Sequence, residues 1–336
     1  MAKGHKPVAG SRAFWPRKRA NRIYQNFSYS EEYLERISGI IKDVKPVAFC
    51  GYKAGMLHVC IKDNKKGSAT YGQEVVKAVT VLDIPPVIVC GIKVYEKGGY
   101  GKKTKTVIWA ENLDKNLARK VDLPKKIDKN KAKEIENEIE KASDIRLLVH
   151  TVPKESGIGK KKPELFEIAL SGDDIKKKWE YARSVLGKQI TIRDVFDEGE
   201  YVDVKAVDKG KGYQGVVKRF GVKIRGRKHN KKRRHIGNLA PRTPARVLPG
   251  AVAMAGQLGF QTRTEYNKKI LKIGDGGISP KGGFVSYGIV PNTYLLVDGS
   301  VPGSKKRLVM MRKAVRKPLI KEPEEIVHIS LKSQQG

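Results

Sequence analysis

VAFCGYKAGMLHVCIKD (residues 47–63) leads through VVKAVTVLDIPPVIVCGIKVYE (75–96) into KTKTVIWAE (103–111). Val, Ile and aromatic residues dominate these runs, and Asn64-Lys65-Lys66-Gly67 and Pro85-Pro86 punctuate them, which is the pattern of strands and turns. Strands this closely spaced, with no helix between them, predict an antiparallel barrel and not a doubly wound sheet. The pattern returns at QITIRDVF (189–196), YVDVKAVD (201–208), FVSYGIV (284–290), TYLLVDGSV (293–301), LVMMRKAV (308–315) and EIVHISL (325–331).

Other periods lie around this frame. Leu34, Ile37 and Ile41 share one side of a short helix predicted over 31–42. Between 112 and 187 an α/β insertion is expected. It holds a Glu/Lys-rich surface helix from Asp128 to Ala142, with Ile135 and Ile139 as its apolar pair. A second helix, Asp173 to Leu186, aligns Ile175, Trp179, Ala182 and Leu186, with Asp173 and Asp174 at its positive end. IRLLVHTV (145–152) and LFEIALSG (165–172) read as strands. The fold class is therefore mainly β with an α/β insertion. The organisation predicted is an extended basic arm (1–30), a first part of the barrel (31–111), the insertion (112–187), barrel strands (188–208), a basic finger (209–274), closing strands with a basic segment (275–331) and a tail (332–336).

Charge narrows the function. The chain of 336 residues holds 69 Lys+Arg against 35 Asp+Glu, a net charge of +34. Segments 1–22, 209–274 and 299–321 hold 33 of the cations and a single acid, Glu265; the rest of the chain holds 36 cations and 34 acids, an ordinary globular balance. A solvated face mixes both signs, and membrane-binding basic stretches need amphipathic helices, which these Gly- and Pro-broken segments lack. A polyanion is the partner that relieves such self-repulsion. Aromatics and amides among the cations (Phe14, Trp15, Tyr213, Phe220, Phe260, Tyr266) suit unpaired bases, so RNA is preferred over DNA.

Other classes are disfavoured. Three cysteines, with no Cys-x-x-Cys, exclude a disulfide scaffold, a thioredoxin-type site and a zinc ribbon, leaving reduced thiols of a cytosolic protein as the expectation. The N-terminus lacks the apolar stretch of a signal peptide, and the longest apolar run, Ile84 to Ile92, is too short to span a bilayer. Six histidines are scattered, so no metal site is expected, and no cluster of nucleophile and base suggests an enzyme. Gly210-Lys-Gly-Tyr-Gln-Gly215 fits the dinucleotide fingerprint, yet residues 209–264 contain no acid to hold a ribose. No cofactor and no small-molecule substrate are expected, though the glycine amides could meet an RNA phosphate. An RNA-modifying enzyme or a free RNA chaperone shares the charge; the first would need a cofactor pocket.

VDVKAVDKGKGYQGVVKRFGVK (202–223), KHNKKRRHIGNLAPRTPARV (228–247) and MAGQLGFQTRTEYNKKILKI (254–273) resemble the universal large-subunit ribosomal protein L3 family in its archaeal form, as do AKGHKPVAGSRAFWPRKRA (2–20) and VAFCGYKAGM (47–56). The resemblance covers 1–330. It implies a structural constituent of the cytoplasmic large subunit, with a six-stranded translation-protein-type β-barrel and no catalytic residues. It further implies binding to 23S-type rRNA early in assembly, ribosomal protein L14 as a neighbour, and a finger reaching toward the peptidyl transferase centre. Lys211 to Arg219 would be the finger's base, Arg225 to His235 its clasping run, Gly237 to Val247 its tip and Met254 to Thr264 its return. At the tip Arg242 stands where archaeal and eukaryotic members usually carry tryptophan.

The residues expected to meet rRNA are, in the arm, Lys3, His5, Lys6, Arg12, Trp15, Arg17, Lys18, Arg19 and Arg22. In the central segment they are Lys211, Lys218, Arg219, Lys223, Arg225, Arg227, Lys228, His229, Lys231, Lys232, Arg233, Arg234, His235, Arg242 and Arg246. On the returning limb they are Gln257, Gln261, Arg263, Asn267, Lys268 and Lys269. Segments 1–22 and 209–274 are predicted to be cut by trypsin in the free protein and protected when rRNA is bound; equal cleavage in both states contradicts this reading.

Overall fold

The computed structural model describes residues 16–64, 67–124, 135–136, 138–239, 245–247, 250, 252–314, 316 and 323–334. The chain divides into a larger unit, Tyr24–Ala206 with Thr264–Gly336, and a smaller unit, Met1–Ile23 with Val207–Arg263. In chain order the strands are β1 (Ala48–Lys62), β2 (Glu74–Asp83), β3 (Val87–Gly98), β4 (Gly101–Trp109), β5 (Asp144–Thr151), β6 (Leu165–Ala169), β7 (Gln189–Ile190), β8 (Tyr201–Val207), β9 (Tyr213–Gln214), β10 (Gly256–Gln257), β11 (Thr262–Gly274), β12 (Tyr294–Asp298), β13 (Leu308–Lys313) and β14 (Glu325–Ile329). The helices are α1 (Glu31–Ile40), α2 (Ile175–Val185) and α3 (Val216–Phe220). The fold is mainly β.

In the larger unit, hydrogen-bonded neighbours run β13-β8-β11-β12-β2-β1, and β1 pairs back onto β13. The path therefore closes on six strands. Closure is possible because β1 is 15 residues long. Its first part faces β13, with Ala48 opposite Arg312 and Tyr52 opposite Leu308, while its last part takes β14 on that side, with Val59 opposite Ile329. Leu57, Val59 and Ile61 of β1 point into the core while Met56, His58 and Lys62 are exposed, the period-two reading of a half-buried strand. Leu295, Leu296 and Val297 of β12 are all fully buried, as are Val309, Met310 and Met311 of β13. Gly55 faces the buried ring of Phe284, and a Cβ there would run into it.

The second sheet is β4-β3-β5-β6, with β7 beside β3. Here the structure corrects the sequence reading, which grouped β3 and β4 with the strands before them. β3 pairs β4 and β5, with Val94 opposite Thr106 and Ile145. Pro85 and Pro86 have no N–H to donate to a ladder, so the chain leaves the first sheet between Asp83 and Val87. The two sheets are joined by Tyr52, whose hydroxyl lies 3.0 Å from the Thr151 hydroxyl and donates to Glu164 Oε2 at 2.8 Å. A second correction falls on 284–290, which is a tight turn and not a strand. Gly288 N donates to Phe284 O at 3.0 Å and Phe284 N to Gly288 O at 2.8 Å, while Tyr287 donates to the buried Asp83 at 2.6 Å. Two of its apolar residues, Phe284 and Tyr287, are buried and anchor the turn.

α1 begins where Ser30 accepts from Tyr33 N at 3.3 Å, and it buries Tyr33, Leu34 and Ile37. Tyr24, Phe27 and Tyr29 are also buried, so the predicted arm is part of the larger unit from Tyr24 onward. α2 is capped by Asp174, which accepts from Lys176 N at 2.9 Å, and it buries Trp179 and Ala182. Of the helix predicted over 128–142, residues 135, 136 and 138 are helical and a 3-10 turn follows at Ile139–Lys141, with Ile135 and Ile139 buried; residues 128–134 and 137 lie outside the described residues. All three cysteines are free; Cys50 and Cys90 are buried, and burial pushes the Cys90 thiol up to about 12, which keeps it unreactive.

Charge is distributed unequally between the units. The smaller unit carries 22 Lys/Arg and one acid, Asp208; the larger carries 47 and 34. Several cations from the basic segments are consumed inside the larger unit. Lys313 pairs with Glu200 at 2.9 Å with both side chains about 5% exposed, and Arg312 reaches Asp203 at 3.4 Å. Removing one partner of a buried pair strands the other charge, whereas replacing both with apolar groups is tolerated. Glu200→Gln should therefore lower stability by about 3 kcal/mol, and Glu200→Leu with Lys313→Met should recover most of that loss in urea unfolding.

Candidate nucleic-acid interface

The smaller unit is built from an outgoing limb, a returning limb and the segment near Ala20. Asp208 N donates to Gln261 O, Lys211 N to Leu258 O and Leu258 N to Gly212 O, each at 2.9 Å. β9 and β10 continue this ladder, with Tyr213 opposite Gln257 and Gln214 opposite Gly256. Ala20 N donates to Phe260 O at 2.8 Å. Gly259 (φ +72°) sits where any Cβ would run into Lys209 O, so only glycine lets the limbs approach.

The glycine motif at 210–215 is absorbed by this joint. Gly212 takes φ +66°, and Gly215 begins α3, a helix of five residues closed by Gly221 at φ +68°. The amide of Lys211 is used by the returning limb and does not wait for a phosphate.

Arg219 occupies the middle of the unit and is 7% exposed. Its guanidinium donates to Gln257 O at 3.0 Å, Met254 O at 2.7 Å and Arg17 O at 3.1 Å, and so ties two stretches of backbone, the returning limb and the segment at Arg17, to α3. Arg17 reciprocates by donating to Arg219 O at 3.3 Å. Both guanidiniums lie over Phe220, at 4.5 Å for Arg17 and 5.1 Å for Arg219. Burial, then the neighbouring Arg219 and Arg263 charges, pull the Arg17 pKa down. A Cβ on Gly256 would come within 2.9 Å of the Arg219 guanidinium, which gives that glycine its purpose.

Beyond α3 the chain makes a cationic excursion. Arg225 N donates to Arg233 O at 3.0 Å and Arg233 Nε to Arg225 O at 3.3 Å, closing its neck. Between them a 3-10 stretch (Arg227–Lys232) is broken at Asn230 (φ +45°), and every residue in it is exposed.

The predicted site residues separate into four groups. Lys3, His5, Lys6, Arg12, Trp15 and Arg242 lie outside the described residues. Lys18, Arg19, Arg22, Lys211, Lys218, Lys223, Arg227, Lys228, His229, Lys231, Lys232, Arg233, Arg234, His235 and Arg246 are exposed, with Arg225 half-buried among them. Arg17, Arg219, Gln257 and Gln261 are used internally: Gln257 Nε2 donates to Gly259 O at 2.9 Å and Gln261 Nε2 to Gln257 O at 3.3 Å, and Arg263, though exposed, reaches Asp208 at 3.4 Å. Asn267, Lys268 and Lys269 belong to β11 of the larger unit, where Lys268 pairs with Glu265 at 3.0 Å and the buried Lys269 with Glu324 at 2.8 Å. Sequence reasoning missed Phe220 as the ring under two guanidiniums and Asn230 as the bend; Gly256 and Gly259, two residues where side chains are refused, were the available signal for the hub.

Arg219→Lys keeps the charge but cannot hold three carbonyls in a plane. Losing charge-assisted bonds worth about 2 kcal/mol should speed hydrogen exchange at the Ala20 and Leu258 amides by roughly 30-fold without a comparable change in β1.

Among the described residues no group of His, Cys, Asp or Glu is placed to hold a metal ion, and no helix is long and apolar enough to cross a membrane. The family model for ribosomal protein L3 matches residues 1–336. The large ribosomal subunit protein uL3 of Methanocaldococcus jannaschii is 48% identical over 340 residues, covering 99% of this chain and 98% of its own. That of Methanosphaera stadtmanae is 48% identical over 346 residues and covers both chains completely, and that of Methanococcus aeolicus is 44% identical over 339 residues, covering 99% of each. A basic unit with one acid, a closed six-strand path and a full-length match leave one assignment: the chain belongs to the ribosomal protein L3 family, whose members are structural proteins of the large subunit of the cytoplasmic ribosome and not enzymes.

Proposed function

We propose that this chain binds 23S-type rRNA early in large-subunit assembly and helps to organise the peptidyl transferase centre without catalysing. The closed six-strand path is read as a translation-protein-type barrel on the subunit's outer face. Of the basic segment 209–274 the part up to Arg263, as a finger, and of the arm 1–30 the part up to Ile23 run inward among rRNA helices, and ribosomal protein L14 is a neighbour.

The observation that carries this reading is the charge of the smaller unit, 22 cations against Asp208 alone. Its exposed run from Arg227 to His235 sits on backbone whose neck is closed by Arg225 and Arg233, which leaves the exposed cations between and beside them turned to solvent, where they can neutralise phosphates. Arg219 contributes indirectly, by holding the limbs from which the exposed cations project.

Salt titration tests it. Each neutralised single-strand phosphate adds about −0.7 to the slope of log affinity against log salt. Replacing Lys231 and Arg234 by Gln should make the slope shallower by about 1.4 and weaken binding to all rRNA fragments alike. An affinity indifferent to salt, or a protein that fails to co-sediment stoichiometrically with large subunits in high-magnesium gradients, would overturn the proposal.

A further inference from the structure

The smaller unit contains a cavity of about 670 Å³ beside α3. Its apolar lining includes Val216, Ile236, Leu239 and Met254, three lining residues are cationic (Arg225, Lys232 and Arg234), and His235 and Asn238 add an imidazole and an amide. A site for a bare phosphate needs no apolar floor, and a volume this large far exceeds one phosphate. Pockets for small organic ligands run to roughly 300–1,000 Å³ and combine an apolar lining with a few polar groups. Resting on the RNA reading above, we infer that this cavity receives a single unpaired nucleotide of the rRNA, its base turned out of the stack.

Each part of a nucleotide has a matching wall. The base lies on Val216, Ile236 and Met254, which offer surface without a hydrogen-bonding demand. The half-buried Arg225 is held in place by its own donation to Ile236 O at 3.4 Å and presents a guanidinium plane for stacking. Lys232 and Arg234, both exposed at the mouth, meet the flanking phosphates. The Asn238 amide can donate to and accept from a base edge. The cations of the run thus differ in what they do. Most neutralise phosphate wherever they meet it, while Arg225 fixes the register at one nucleotide.

The test plugs the cavity without altering charge. A Cβ on Gly237 would have the Arg225 guanidinium, at 3.9 Å, as its nearest neighbour, so the position has room for a side chain. Full-length wild type, Gly237→Phe and, from a different segment of the lining, Met254→Trp are each bound to 23S-type rRNA and probed with dimethyl sulfate and kethoxal. Wild type should protect the pairing edge of one unpaired base. Both plugged variants should return that base to its reactivity in free rRNA and bind about tenfold more weakly, with the salt slope of wild type. Wild-type complexes in which every unpaired base stays as reactive as in free rRNA overturn the pocket and leave RNA binding standing. Protection that survives in either plugged variant also overturns it. Absence of any wild-type binding overturns the RNA reading itself, and this inference with it.

Discussion

Like-charge repulsion is the constraint on which the smaller unit depends. Its segments bring 22 cations together with one carboxylate, so ion pairing cannot assemble them. Neutral carbonyl dipoles take the place of counter-ions. Arg219 places its N–H groups on three backbone oxygens, two on the returning limb and one at Arg17, and the ring of Phe220 lies beneath it and Arg17. A guanidinium suits this role because its charge is spread over a plane and its donors diverge in fixed directions. The arrangement organises the backbone while leaving the repulsion among exposed side chains unrelieved, and that residual repulsion is what a polyanion can satisfy.

The larger unit follows the opposite rule. Lys93 meets Glu167 at 2.7 Å, Lys102 and Arg146 both meet the buried Asp144, and Lys269 meets Glu324. These acids are spent on cations of their own unit. In the family's structural role, this separates a component that keeps its own form from one whose charge is directed outward.

Much of this was legible in the sequence where one signal dominated. The alternation at Leu57, Val59 and Ile61 gave β1 its buried face, and Asp174 before Ile175 gave α2 its cap. The exposed cations from Arg227 to His235 followed from the want of nearby acids. What escaped depends on contacts distant along the chain. Nothing local to Val87 states that it will face Thr151 in a second sheet. The apolar run at 284–290 has a strand's composition, but Phe284 and Tyr287, three residues apart, both point inward from a turn, toward Gly55 and Asp83. Lys269 reads as RNA-facing, and Arg312 and Lys313 count among the excess cations, because all three lie in cationic stretches, yet their partners Glu324, Asp203 and Glu200 lie far away in sequence. Arg219 is the sharpest case: one more arginine in a basic run, distinguished only by glycines on the limb it holds.

The pairing of Ala48 with Arg312 governs timing as well as architecture. The six-strand path cannot close until residue 312 has been synthesised, because β1 waits for β13 along one edge. Pairings so remote in sequence form slowly, since a long loop must be closed before they return any free energy. Residues 16–23 and 207–263 leave the ribosome that makes them before that closure is possible. The cationic segments thus meet the cell ahead of the finished larger unit, with their self-repulsion unrelieved from the moment they emerge.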